Sequence, residues 1–323
     1  MHGLNTGAND YITKPFTKDE FLARVNTHLN LHRIHSATGR FVPTEFIRSL
    51  GRDSIIDVQL GDQTEKEVTV LFSDIRDFTG LSEKMTPEEN FRFVNAFHGR
   101  LGPIVQANHG FINQYLGDGI MAIFTQKPED ALKACILMQK NIRAYNLTRL
   151  TKGRSLIRTG MGMHTGHLIM GIIGDDKRMD AATISDTVNT ASRIESLTKF
   201  YGANILVSED SLRGIADKTP FNLRFLGKVL VKGKQHELGI YECIDGDEPE
   251  MLWYKQSTLE DFSKGVSLYF EREFAAAAEV FKDKVLRRNP RDTAAKILLA
   301  KAQHLAETGV PDDWTGVEKM ESK

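Results

Sequence analysis

The sequence predicts an α+β fold, a ferredoxin-like βαββαβ core followed by a helical C-terminal segment. Val68, Val70 and Phe72, with Thr69 and Leu71 between them, form a mostly apolar strand that runs into Ser73-Asp74-Ile75. Residues 110–116 and 120–124 flank Gly117-Asp118-Gly119, the pattern of a hairpin. Helical spacings lie between and after these segments. The order from residue 67 is therefore strand, helix, strand, strand, helix, strand, which implies an antiparallel sheet with helices on one face.

Each element has a local signal. The first core helix starts at Thr86-Pro87, because proline suits a first helical turn, and carries Phe91, Val94, Phe97, Leu101, Ile104 and Val105 at helical spacing. The second spans about 129–146, with Ala131, Leu132, Cys135, Met138 and Ile142 on one face. A strand at about 155–164 closes the unit. A further helix begins near Asp186, and more strands follow up to Tyr241. This main body occupies 67–246. Residues 35–66 read as a connector: Phe41-Val42-Pro43 and then Thr44, Phe46, Ile47 and Leu50 suggest a short capped helix, while Gly51 and Gly61-Asp62 mark turns. Residues 255–310 read as helical. Phe262, Gly265, Tyr269, Phe274, Ala275, Ala278 and Phe281, then Asn289-Pro290, Ala294, Ala295 and Leu298, are spaced like one tetratricopeptide repeat and part of a second; a helical hairpin that merely covers the core is an equal reading. Such repeats cannot bury their faces alone, so the segment is expected to pack against the main body, a dimer mate or a protein partner.

Composition narrows the class. With 323 residues, 41% hydrophobic and 26% charged, the chain is ordinary globular protein. A net charge of -1 offers no surface for nucleic acid or anionic lipid. Cys135 and Cys243 sit in apolar stretches and read as buried thiols of a reducing compartment. No basic-then-apolar leader opens the sequence, and no apolar run approaches the ~20 residues that span a bilayer. A cytoplasmic protein with no nucleic-acid or membrane partner is expected.

Two aspartates hold chemically useful positions. Asp74 ends a buried strand and Asp118 tips a hairpin. In the expected fold these lie side by side at the sheet centre, so their ends can place two carboxylates together. Such a pair is costly unless cations neutralise it. Mg²⁺ or Mn²⁺ suits carboxylate oxygens and leaves room for phosphate oxygens. Two ions per site could activate an attacking oxygen and stabilise a leaving one. The loop from Ile75 to Phe78 and Thr79 would present backbone N–H groups to phosphates near a helix start. Taken singly, either aspartate reads more simply as a solvated turn residue. Asn189 and Arg193, one helical turn apart, share a face where an amide and a guanidinium could bind a ribose and a pentavalent phosphorus; a capping Asn and an exposed Arg are the plainer alternative. His164 and His167, flanking an expected strand turn, read as structural. Lys232-Gly233-Lys234 lacks the spacing and Ser/Thr of a P-loop.

Phe72-Ser73-Asp74-Ile75-Arg76-Asp77-Phe78-Thr79, the run 115–124 around Asp118, and Asp186-Thr187-Val188-Asn189-Thr190-Ala191-Ser192-Arg193 resemble the three signature blocks of the class III adenylate and guanylate cyclase family, in family order and spacing. Arg224-Phe225-Leu226-Gly227 through Val231-Lys232-Gly233-Lys234 resembles its late lysine motif. The similarity covers about 67–246 and implies the nucleotidyl cyclase fold and roles for particular residues. Asp74 and Asp118 match the metal-binding aspartates, with the Ile75 carbonyl as a further ligand. Asn189 matches the ribose-orienting asparagine, Arg193 the transition-state arginine, and Lys232 (less well Lys234) the lysine for the terminal phosphates. In that family the metals and the Asn/Arg pair come from different subunits, so a single-domain chain is expected to work as a homodimer with two equivalent sites.

The resemblance weakens at the base. Adenylate-forming members often carry a lysine at the position of Gln114 and a threonine or aspartate at that of Ala182; guanylate-forming members usually carry Glu and Cys. A glutamine amide can read adenine or guanine by flipping, Ala182 reads neither, and Thr183 could substitute. ATP is the expected substrate, giving cyclic AMP; a guanylate or dual-specificity cyclase and a catalytically silent cyclase-like signalling dimer are the alternatives. Residues 1–34 resemble the last strand and last helix of a response-regulator receiver domain, with a strand near Gly7–Phe16, Lys14-Pro15 matching the lysine that contacts the phosphorylated aspartate, and a helix capped by Thr17 and Glu20 that carries Phe21, Leu22, Val25 and Leu29. The strand for that aspartate is not in this sequence. Residues 1–34 are thus expected to be a truncated or decayed remnant with no phosphoacceptor, whose helix could pair with its copy.

Overall fold

A computed structural model describes residues 8–230 and 237–319. They form two units, Met1–Asp62 with Ile172–Ala181, and Gln63–Gly171 with Ala182–Lys323.

In the first unit, residues 8–17 form no strand, contrary to the expectation. A lone strand has no sheet to satisfy its backbone. The helix follows as read: α1 (Lys18–Thr38) begins where the Thr17 hydroxyl accepts from the Glu20 N–H at 3.1 Å. Phe21, Leu22, Val25, Leu29, Leu31 and Ile34 are all exposed on it. α2 (Thr44–Ser49) is the short connector helix and buries Phe46 and Ile47.

The second unit is built around β1 (Gln63–Ile75), whose inner half is buried. It is followed by α3 (Phe78–Ser82), α4 (Pro87–Ala107), the hairpin of β2 (Gly110–Leu116) and β3 (Gly119–Phe124), α5 (Pro128–Thr151), β4 (Thr159–Asp175), β5 (Arg178–Ile184), α6 (Asp186–Tyr201), β6 (Ile205–Ser208), α7 (Glu209–Arg213), β7 (Leu223–Leu230) and β8 (Glu237–Cys243). Then come α8 (Pro249–Ser257), α9 (Leu259–Phe270), α10 (Phe274–Glu279) running on into a π-helical turn over Val280–Leu286, α11 (Thr293–Thr308) and β9 (Val317–Lys319).

Strand order across the sheet is β2-β3-β1-β4-β6-β8-β7-β9, with β5 folded back on β4. The βαββαβ core is antiparallel, β1 with β3 and β4 and β2 with β3, with α4 and α5 on one face as expected; the elements added after it make the whole sheet mixed, with β6 parallel to β4 and β9 parallel to β7. The α6 crossover returns the chain to the same end of the sheet, and a helical crossover is what parallel pairing requires. Helices also cover both faces. Ile205 and Val207 of β6 point into the core under α4 and α5, whereas Leu206 between them points into a second core with α6, α9, α10 and α11. The C-terminal helices therefore pack on the main body, one of the three expected destinations.

Local chemistry explains the boundaries. Thr86 and Glu89 form a reciprocal capping box at 3.2 and 2.9 Å, and Pro87 occupies the first turn of α4. Phe93, Phe97, Leu101 and Val105 face inward; Phe91, assigned to that face from sequence, is 71% exposed. His164 lies inside β4 rather than beside a turn, buried with Nδ1 2.9 Å from the Ser208 hydroxyl. Cys135 and Cys243 are buried free thiols. Among the described residues no helix is long and apolar enough to cross a membrane.

A buried ionic network joins the tail to the sheet. Arg224 of β7 donates through Nε to Glu242 of β8 and through Nη1 and Nη2 to Asp292 at 2.6 and 3.0 Å. Lys255 of α8 bonds Glu242 at 2.6 Å and Asp247 at 2.7 Å. The Phe262 ring lies 4.3 Å from the Arg224 guanidinium. Burial alone would raise the Asp292 carboxyl, but the Arg224 charge overrides it and holds Asp292 below its ordinary range. Asp292 also caps α11, accepting from the Ala295 N–H at 3.1 Å. Asp292→Ala should leave Arg224 buried and partly unpaired, costing about 3–5 kcal/mol in chemical denaturation. Arg291→Ala, whose pair with Glu250 is exposed, should change the midpoint little.

Candidate active site

The backbone brings Asp74 and Asp118 together. Near its C-terminal end β1 pairs with β3 on one side, Ser73 opposite Ile120, and with β4 on the other, Asp74 opposite Gly160. The β2–β3 hairpin turns through Gly117, whose φ of 67° lies in the left-handed region, and Asp118 follows. Asp118 Oδ2 accepts from the Ile75 N–H at 3.2 Å. A side chain added at Gly119 would start 3.4 Å from Asp74 Oδ1, which puts the turn beside that carboxylate. Burial first, and then a hydrogen bond to Asp74 and its charge, push the Asp118 carboxyl up to about 7. A third acid lies nearby: Glu195 is also pushed up to about 7, by burial and by the charge of Asp74 and, less, Asp118, with Arg76 opposing.

Glu195 comes so close because β4 has glycines under α6. A Cβ at Gly162 would fall 2.1 Å from the Glu195 N, and one at Gly160 2.6 Å from Glu195 Oε1. Arg76 ties the same helix to the end of β1: Nη2 donates to the Thr198 carbonyl at 3.2 Å and to the Ala203 carbonyl. The inner face of α6 buries Thr190, Ala191, Ile194, Leu197 and Thr198. Asn189 is exposed and Arg193 half-buried, about 240° and 200° round the helix from Glu195. The helix face that packs over the acids is therefore not the face of Asn189 and Arg193.

The other sequence-derived positions divide. Gln114 is exposed on β2, just past a bulge, and Ala182 and Thr183 are half-buried on β5. Phe78 opens α3, but its ring packs into the core with its centroid 6.4 Å from that of Phe93, so only its backbone can serve a phosphate. Thr79 follows it in the first turn of α3. Lys232 and Lys234 lie outside the described residues.

Sequence reasoning missed three contributors. Glu195 and Arg76 were within the quoted blocks or beside them, and the Gly160-x-Gly162 spacing signals close backbone approach. His98 carried no signal. It sits on α4 with Nε2 2.9 Å from the Gly117 carbonyl and its ring 4.5 Å from that of Tyr115. Burial lowers its pKa, leaving a neutral ring whose Nε2–H donates to the turn that presents Asp118.

The donor set fits divalent ions. Two carboxylates, one holding the other's proton on, supply hard oxygens and excess negative charge. Among the described residues no group of three His, Cys, Asp or Glu side chains is placed to hold a metal ion.

Two substitutions separate these roles. Asp118→Asn should stabilise the metal-free protein by about 1 kcal/mol, allowing for solvent screening, and abolish the rise in Tm that Mn²⁺ gives the parent. His98→Ala should keep the fold but weaken Mn²⁺ binding about 10-fold in titration calorimetry, since the turn loses its support.

Comparison with known proteins agrees with this geometry. Residues 60–243 match the family described as the adenylate and guanylate cyclase catalytic domain. An adenylate cyclase of Anabaena cylindrica is 42% identical over 209 residues, 63% of this chain and 42% of that protein. The terminal-differentiation specific adenylate cyclase of Dictyostelium discoideum is 34% identical over 255 residues, 77% of this chain and 12% of that protein. The chain thus spans less than half the length of these curated relatives. Among solved structures, the guanylyl cyclase Cya2 superposes with a TM-score of 0.50 at 30% identity, covering 59% of this chain and 97% of that one. The chain belongs to the adenylate and guanylate cyclase catalytic-domain family.

Proposed function

We propose that the protein is a class III adenylate cyclase that converts ATP to 3′,5′-cyclic AMP and pyrophosphate at sites shared between two copies, in intracellular signalling. The observation that carries this reading is the Asp74–Asp118 pair at the end of β1, covered by a helix whose Asn189 and Arg193 lie on another face.

In this reading Asp74 and Asp118, with the Ile75 carbonyl, hold two Mg²⁺ or Mn²⁺ ions. When bound, these supply charge that lowers the pKa of the attacking hydroxyl and stabilises the leaving oxygen. Backbone N–H groups of Phe78 and Thr79 orient phosphate oxygens. Asn189 of the second copy orients the ribose, its Arg193 neutralises charge growing on the α-phosphorus, and Lys232 holds the terminal phosphates. The 3′-hydroxyl gives its proton to water as its oxygen bonds the α-phosphorus and the bond to pyrophosphate breaks. Gln114, Ala182 and Thr183 face the base.

A GTP-consuming or dual-specificity enzyme is the second reading. It is favoured by Gln114, whose amide can present either a donor or an acceptor, and by the likeness to Cya2, described as a guanylyl cyclase.

With Mn²⁺, purified protein should make cyclic AMP from ATP faster than cyclic GMP from GTP; neither product would leave the silent dimer as the reading. Gln114→Lys should raise the ATP:GTP rate ratio about 10-fold, the worth of one charged hydrogen bond. Asp74→Ala and Arg193→Ala chains, each inactive, should regain activity when mixed; a mixture that associates but stays dead would sink the shared site.

A further inference from the structure

On the α4–α5 side of the sheet, away from Asp74, lies a half-enclosed cavity of about 580 Å³ between the start of α4, the end of α5 and the loop after it. That size suits a small molecule. At its back is Arg149, only 3% exposed. Its Nε donates to the Ser155 carbonyl at 2.7 Å, and its guanidinium lies 5.0 Å from the Phe93 ring centroid and 5.6 Å from that of Tyr145.

Among the described residues no carboxylate pairs with Arg149, and Nη1 and Nη2 have no acceptor. The C-terminal end of α5 and the two ring faces offset part of the charge. They leave Nη1 and Nη2 without a protein acceptor on a side chain that lines the cavity, free to bond solvent or a ligand there. The cavity wall adds Lys84, Arg92 and Arg154. Its one acid, Glu89, is committed to the α4 capping box, the Thr86 N–H being the main reason its carboxyl lies below the ordinary range. Arg92 pairs with the exposed Glu88 at 3.8 Å, and the charges of Arg92 and Arg154 reach Glu89 only as minor effects. Four cations thus face one occupied carboxylate.

We propose that this cavity is a binding site for a small phosphate-bearing molecule, with Arg149 as the bidentate anchor and Arg92, Arg154 and Lys84 as the outer cations. A planar guanidinium with two open N–H edges matches phosphate or carboxylate oxygens. The threefold excess of positive charge favours a dianion over a monocarboxylate. The apolar wall of Leu81, Met85 and Phe93 leaves room for a non-polar portion.

The test uses the full chain in EDTA, which keeps divalent ions off the carboxylate pair, with millimolar inorganic phosphate at an ionic strength matched by NaCl. Phosphate should raise Tm by about 2–4 °C at several times its Kd, and acetate by less. Arg149→Met should lose the phosphate shift. A parent that does not respond overturns the proposal. So does an undiminished response in Arg149→Met, which would mean an adventitious ion only or binding at the substrate site. Arg92→Gln/Arg154→Gln, changed only at the surface, covers the case in which Arg149→Met fails to fold: it should lose at least half of the shift, and a full shift there also overturns the site.

Discussion

Two carboxyl groups held against each other at the end of β1 set the terms for everything around them. Backbone pairing brings Asp74 and Asp118 together, and burial first, then the hydrogen bond to Asp74 and its charge, keeps a proton on Asp118 well above the ordinary carboxylate range. The protein tolerates this because it surrounds the pair with rigid supports. β1 is pinned between β3 and β4, the Ile75 N–H fixes one oxygen of Asp118, and His98 holds the Gly117 carbonyl of the turn. Among the described residues no cation bonds the pair directly; the Arg76 charge acts on neighbouring Glu195. The electrostatic cost of the pair is thus left in place.

The helix α6 makes this arrangement useful. Its inner face descends on Gly160 and Gly162 so closely that any side chain there would overlap the helix. That contact places Glu195 over the acids and fixes the rotation of the helix. Once the rotation is fixed, Asn189 and Arg193 must emerge on another side. The opposite half of the sheet is held by other means: Arg224, Glu242, Lys255 and Asp292 lock the start of β7 and the end of β8 to α8 and α11.

Much of this was legible in the sequence where the signal is local. Strand β1, the hairpin and α4 follow from period and capping, and the two aspartates from their place at strand and turn ends. What escaped depends on contacts between distant segments. Phe91 and Phe93 are two residues apart on an amphipathic helix, and only the sheet decides which one is covered. Parallel pairing of β4 and β6 depends on the crossover through α6. The second core was invisible because Leu206 alternates with Ile205 and Val207 in a run apolar at every position, which carries no period to show that both faces are buried. His98 looks like any helical histidine until the Gly117 carbonyl is seen beside it.

The buried charges of the molecule show how the fold treats cations it neutralises itself. Arg224 and Lys255 are each surrounded by carboxylates at hydrogen-bonding distance, with every geometric requirement of a buried pair met. Arg149 is just as buried, yet it has ring faces and one carbonyl and no acid. The same chain therefore holds one buried guanidinium closed in by carboxylates and another whose Nη1 and Nη2 have no protein acceptor. Phe93, whose ring lies against Arg149, is also the ring against which Phe78 packs, and Phe78 opens the helix that follows the Asp74 loop.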